Sequence, residues 1–464
     1  MSSLFYLKKG DEMEKIKSEK ILFNAFTIFA GAMLMGFLWR VRGETGWGSS
    51  WGLLNAGFVF TLFMILAKGE RKKLDMGWLA LTALSFMLTV PSWGTLLNQI
   101  TGVLYEPEIW SVDDPYVYVP VWTAIVLMLS LGFGLATIFG IMLGRGYSEK
   151  QWKVKDFIIL IAVFYAADLI SKASISHFIL DLIQPQTTEI FEKGLAAANV
   201  DGDVYTLYLQ HFDNLSWGKK FDGGRNYFSS IQAISSVFRS AAALLATRFI
   251  IKDKIAAKTG AVVSVSFAFS ITVSDLFFYF GNGGYHMQNP SYFTDFVYPW
   301  SCWEFFTGFI AGGLITAFIL SLKDTENVPE IAFSKVPEKA ETVLKFILGS
   351  VFMLGVSIVR PVLERFDDSD FQIIATVIAV IAAIAFVVLL SVKYGINMSR
   401  ISLTQTAEIL FPVFVLYIGI SYFFVGTKEE INIFSVNKLH SILCIASIFT
   451  ACIWVGIRQK QLKK

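Results

Sequence analysis

The chain has 464 residues, 55% of them apolar and only 16% charged, and its mean hydropathy is +0.57. Such a composition excludes an ordinary water-soluble globular protein. The net charge of +2, with basic residues scattered in short groups rather than along one stripe, excludes nucleic acid as a partner. Three cysteines, two of them within one hydrophobic run, exclude a disulfide framework and a zinc site.

From the N-terminus, residues 1–20 form a polar, lysine-rich leader. The first hydrophobic run, 21–39, is long enough to cross a hydrocarbon core of about 30 Å. Arg40 and Arg42 follow it in place of a small-residue cleavage site, so it reads as a retained span and not as a signal peptide. A Gly- and Trp-rich loop comes next, holding Arg40, Arg42, Glu44 and Trp47. Glycines permit close backbone approach, so this loop can form a nest of amides beside two guanidiniums, suited to an anion or a polyhydroxylated ligand. The plainer reading is a tight hairpin anchored by tryptophan at the interface.

Further spans are predicted at 51–67, 77–97, 119–143, 157–178, 228–250, 260–280 and 303–322. An outer connection, 181–225, separates the fifth span from the sixth, with Thr187 or Thr188 as the expected cap of a short surface helix reaching Ala198. Asp201-Gly202-Asp203 within it reads as a turn in preference to a metal-binding pair. An inner connection, 323–341, carries Pro329 and Pro337 and divides a bundle at 21–322 from a second at 342–464. The remaining spans are expected at 343–359, 371–392, 404–425 and 439–457, followed by a short basic tail.

Backbone amides in lipid have no water to bond, and these runs are too long and too apolar for barrel strands. The fold class predicted is therefore all-α, a polytopic transmembrane bundle of about twelve spans. Most of the 39 Lys and Arg fall in alternate connections, beginning with the leader and ending with the tail, while 98–118 and 281–300 contain neither residue. Basic residues accumulate on the cytoplasmic side. Both termini are thus expected in the cytoplasm, and the membrane is expected to be that of the cell.

Charge buried in a bilayer costs several kcal/mol unless paired or hydrated, which makes it the best pointer to function. Asp168 and Lys172 in the fifth span, Arg239 in the sixth, Asp275 in the seventh and Glu304 in the eighth stand out. Asp168 and Lys172 are four apart and can pair on one helix face. That leaves Arg239 against Asp275 and Glu304, so one carboxylate is expected to be protonated or to meet a cationic ligand. Of the 12 tryptophans only Trp78, Trp152 and Trp454 fall on the predicted inner side, an asymmetry that platforms for sugar rings or packed outer loops would explain. His286, in the Gly-rich loop 281–290, adds a titratable donor to the same outer side.

Three functions fit. A secondary transporter of a polar, anionic or carbohydrate-like solute suits some twelve spans and buried carboxylates, although no repeat relates the halves and the charged residues gather in the middle and outer half. An outer-leaflet transferase working on a lipid-linked sugar or an acyl chain suits the one-sided polarity, but no catalytic motif marks it. A receptor or assembly factor without turnover is the third. The expected partners are membrane lipid and a small polar or lipid-linked substrate. No cofactor motif and no metal-ligand spacing is present.

Overall fold

A computed structural model describes residues 2–42, 49–68, 76–87, 120–150, 152–277, 296–323 and 438–462, with most of 407–419. Among these residues 87% are helical and none lies in a strand, so the fold is all-α. The helices are α1 (Ser2–Val41), α2 (Ser49–Lys68), α3 (Met76–Met87), α4 (Val121–Leu135), α5 (Thr137–Arg145), α6 (Val154–Ile170) and α7 (Ser176–Ile183). There follow α8 (Pro185–Ala197), α9 (Val204–Gln210), α10 (Leu215–Gly218), α11 (Gly224–Leu245), α12 (Lys254–Ser274), α13 (Pro299–Ser321) and α14 (Leu439–Leu462).

Seven stretches among the described residues are long and apolar enough to cross a membrane: Ser18–Val41, Trp122–Arg145, Val154–Ile183, Gly224–Ile250, Lys254–Ser274, Ser301–Ser321 and Leu439–Gln461. Gly52–Lys68 is apolar but shorter. The runs expected at 343–359 and 371–392 lie outside the described residues, and those at 77–97 and 404–425 are described only in part. The spanning helices turn apolar side chains outward. On α6, Ile158, Ile161 and Leu169 are 61%, 52% and 53% exposed, while Leu160, Phe164 and Asp168 face the bundle. An outward row of this kind is stable in hydrocarbon and not in water.

Small residues bring the helices together. A Cβ on Gly308 would lie 2.3 Å from the Met35 carbonyl oxygen, and one on Gly312 2.6 Å from the Gly31 carbonyl, so α1 and α13 touch backbone to backbone. Gly132, Gly140 and Gly144 do the same for α4 and α5 against α12. Helix α1 runs antiparallel to both α13 and α14. Arg40 meets Glu304 at one end of α1, while Trp454 Nε1 donates to Thr27 Oγ1 (3.0 Å) and Arg458 lies over Phe23 towards the other. At that second end Lys68 donates to the Leu320 and Leu322 carbonyls at the C-terminus of α13, where a cation offsets the helix dipole.

The connection from α7 to α11 folds into a compact cap. Phe191 and Trp217 pack on Tyr227 and Phe228 of α11, and Phe221 packs on both of them. Its first helix begins at Pro185 with Gln184 as the flanking residue, not at Thr187 or Thr188 as expected. Proline at the first helical position has no amide to satisfy and a preset φ, so it starts the helix before either threonine can cap it. Thr187 Oγ1 instead donates to Gln184 (3.1 Å), and Thr188 Oγ1 to Asp181 (2.5 Å). The expected turn is present: Gly202 has φ +129° and Asp203 caps α9 through the Thr206 amide (2.9 Å).

Candidate functional site

On α6 every fourth residue from Asp156 to Asp168 is buried, and Lys172 continues the row. Asp168 is its acceptor centre. One oxygen meets Lys172 Nζ at 2.9 Å; the other accepts from Ser235 Oγ at 2.7 Å and from Arg239 Nη1 at 3.3 Å. Ser235 and Arg239 are four apart and so share a face of α11. Lys172 Nζ also reaches Asp213 in the cap (2.7 Å), and the second Asp213 oxygen accepts from Gln232 (2.9 Å). Two acids and two bases therefore balance, three of them buried and Asp213 partly open to solvent. The Arg239 guanidinium lies over the Phe164 ring at 5.3 Å, and its Nε and Nη2 meet no partner among the described residues.

Lys172 is presented by a π-turn, Ser171–Ile175, that joins α6 to α7. Such turns disturb the regular backbone ladder and recur at functional sites. Two side chains reach into this one. His177 Nε2 lies 2.7 Å from the Lys172 carbonyl and the Tyr205 hydroxyl donates to the Ala173 carbonyl (2.7 Å). A carbonyl only accepts, so His177 carries its proton on Nε2. Its Nδ1 is then free to accept from the Tyr227 hydroxyl at 2.6 Å. Tyr205 and Tyr208 close the ring edge-on at 4.9 and 4.6 Å.

A second cluster joins α1 to α13. Arg40 Nη1 lies 2.9 Å from Glu304, Arg42 Nη2 lies 3.5 Å from its other oxygen, and Arg42 stacks on Trp39 at 4.3 Å. Both clusters occupy the same level of the bundle. Ser236 on α11 donates to the Ser130 carbonyl on α4 (2.9 Å), Gly132 packs on Ala268 and Ile271 of α12, and the Ile271 carbonyl accepts from Trp303 Nε1, next to Glu304 (3.3 Å).

These pairings correct the expected one. Arg239 is not left against Asp275 and Glu304: it joins Asp168, and Glu304 has two arginines of its own. The geometric reason is that α6 and α11 pack directly, placing Asp168 within reach of cations on both helices. Asp275 stands apart. It is 2% exposed at the end of α12, and neither carboxylate oxygen meets a partner among the described residues. Glu44, Trp47 and His286 lie outside the described residues. Of the tryptophans expected on the outer side, Trp39 and Trp303 are buried packing elements and Trp217 stacks on His211 at 3.9 Å within the cap.

Sequence reasoning missed Asp213, His177 and the length of the polar seam along α11. Asn226, Ser229, Ser230, Ser235, Ser236, Arg239 and Ser240 are all buried, and Thr247 continues the seam into the next turn. Near its middle the Thr137 hydroxyl bonds Ser240 (2.8 Å) and Ser264 (2.7 Å), linking α5, α11 and α12. A spacing count would have found the seam, because serines at 229, 236 and 240 share one helical face.

Among the described residues no three His, Cys, Asp or Glu side chains come together as a metal site. Asp203 is committed to its helix, since bonds from the Thr206 side chain and amide hold its carboxyl below the usual range. No protein-family model, curated protein or solved structure is significantly similar to this chain, so its helical membrane architecture and its polar clusters are what bear on its activity.

Proposed function

We propose that this chain is a secondary transporter of a small polar, anionic or carbohydrate-like solute in the cell membrane, with both termini cytoplasmic. The observation that carries this reading is α11. Asn226, Ser229, Ser230, Ser235, Ser236, Arg239 and Ser240 are buried along it among apolar neighbours, and a helix embedded in a bilayer keeps such a polar seam to line a pathway or hold a hydrophilic ligand. The hydroxyls of Ser240, Thr137 and Ser264 extend polarity beyond the charged network, where the charged residues alone had left the path one-sided. Arg239, whose Nε and Nη2 meet no partner among the described residues, binds the solute, and Lys172 and Asp213 form its gate towards the cap. Asp275 is the proton carrier, because a buried carboxylate without a cation is neutralised by proton uptake or by a bound cation. The antiparallel arrangement of α1 and α14 supports a common side for the two termini and an even number of crossings.

The test is solute uptake by the purified chain in liposomes under an imposed proton gradient, across a panel of sugars, organic acids and amino acids. Arg239→Ala and Asp275→Asn abolish uptake in chains that still express and fold. If Arg239→Ala only unfolds the chain, the network is packing and not a binding site.

One observation favours a second reading, an enzyme of the outer leaflet. Arg40 and Arg42 come together at Glu304, and two guanidiniums side by side suit the pyrophosphate of a lipid-linked substrate. Conversion of such a lipid by the purified chain, with no flux of any solute, would select it.

A further inference from the structure

The first turns of α13 and α14 meet beside Arg40. The Cys302 thiol donates to the Val297 carbonyl and lies against the backbone amide of His440. The His440 ring is 5.9 Å from the Tyr298 ring, which also carries Lys438 Nζ at 5.0 Å from its centroid. Arg40 is close enough to act electrostatically on both Cys302 and His440.

Three side chains at this junction are buried with polar atoms that the described fold does not use. His440 and Ser301 are each 1% exposed and Ser441 is 2% exposed. Among the described residues, both ring nitrogens of His440 and both serine hydroxyls meet no partner. Each such group destabilises the fold relative to a satisfied one, so four atoms together form an unfavourable arrangement unless something binds them. What binds is set by the surroundings. The α13 N-terminus has no side-chain cap and no acid in its first turn, and α14 likewise has no acid there. Among the described residues the junction thus joins two helix N-termini without an acid in either first turn to the Lys438 ammonium beside Tyr298. This is the electrostatics of an anion site.

We propose that the junction of α13 and α14 binds a phosphate group, held by an imidazole N–H of His440 and the Ser301 and Ser441 hydroxyls, with Arg40 and Lys438 supplying the charge. A tetrahedral oxyanion accepts from several directions at once, as donors on two helices and α1 require, whereas a planar carboxylate is satisfied by a single fork. The phosphate comes either from a lipid headgroup or from a soluble phosphorylated compound. The site is independent of whether the chain transports or catalyses, because binding is read at equilibrium.

The experiment is titration calorimetry on the full chain in nanodiscs of neutral lipid, with inorganic phosphate in one arm and dihexanoyl phosphatidic acid in the other. Sodium chloride at matched ionic strength is the control. Saturable one-to-one binding of either probe supports the site: phosphate marks a soluble ligand, and the lipid alone marks a headgroup. Ser441→Ala and Ser301→Ala each weaken it about tenfold, and His440→Phe does so more than His440→Gln, which keeps one donor. Should His440→Phe fail to fold, the two serine variants decide, since their hydroxyls hold nothing else in place. Binding no stronger than the chloride control, or binding that all these variants leave unchanged, overturns the proposal.

Discussion

Replacing Asp168 with asparagine keeps its volume and removes its charge, which makes it the cleanest probe of the α6–α11 network. Lys172 would keep Asp213, but Arg239 would lose its one ion pair among the described residues while remaining 89% buried as a side chain. Removing one member of a buried pair costs about 3–5 kcal/mol, because the charge left behind stays desolvated. The lower end applies here, since Lys172 is still compensated. Asp213→Asn provides the contrast. Its side chain is 33% exposed, so water screens the interaction and the loss is about 1 kcal/mol or less. A third variant, Asp168→Asn with Arg239→Gln, removes both charges and is expected to recover about 1–3 kcal/mol relative to the sum of the single changes. The assay is denaturant unfolding in mild detergent, followed by tryptophan fluorescence. Equal losses for Asp168→Asn and Asp213→Asn, or single changes that add within about 0.5 kcal/mol, would refute the pairing described here.

Other outcomes follow from the same contacts. Gly308→Val and Gly312→Val force α1 away from α13 and each cost about 1–3 kcal/mol or more, whereas Gly313→Ala, whose new methyl would meet only Ala32 Cβ at 3.3 Å, is nearly neutral by the same unfolding assay. His177→Phe removes two buried hydrogen bonds and destabilises by about 2 kcal/mol or more; Tyr205→Phe, on an exposed residue, costs less. Asp203 has its carboxyl held low in the folded cap, so its contribution is complete above the ordinary aspartate value of about 3.9 and is lost as pH falls through the folded one. The protection factors of amides 204–210, taken relative to the intrinsic exchange rate at each pH, should therefore fall at acid pH in the wild type and vary less with pH in Asp203→Asn.

The elements legible in the sequence were those set by local rules. Hydrophobic length marked the runs that became α1, α6, α11, α12, α13 and α14, and the four-residue spacing of Asp168 and Lys172 gave their pair, which the structure keeps. Partners that depend on packing were not legible. Arg239 was matched to the wrong carboxylates because nothing local records that α6 lies against α11, and Asp213 was passed over because it belongs to a polar connection where an acid is unremarked. The π-turn at 171–175 breaks the periodicity by one residue without any glycine or proline to announce it. Asp275 meets no partner among the described residues, but the expectation of an unpaired acid had used Arg239, which pairs elsewhere.

The claim on which the rest stands is that these helices cross a bilayer, with the cap on one side and both terminal helices beginning and ending on the other. Replacing Cys302, Cys444 and Cys452, then placing single cysteines at Ala197 in the cap and at Gln459 near the end of α14, allows labelling with a membrane-impermeant maleimide in intact cells. The account predicts modification of the cap site without permeabilisation and of position 459 only after it. Labelling of both positions, or of position 459 alone, in intact cells would contradict it.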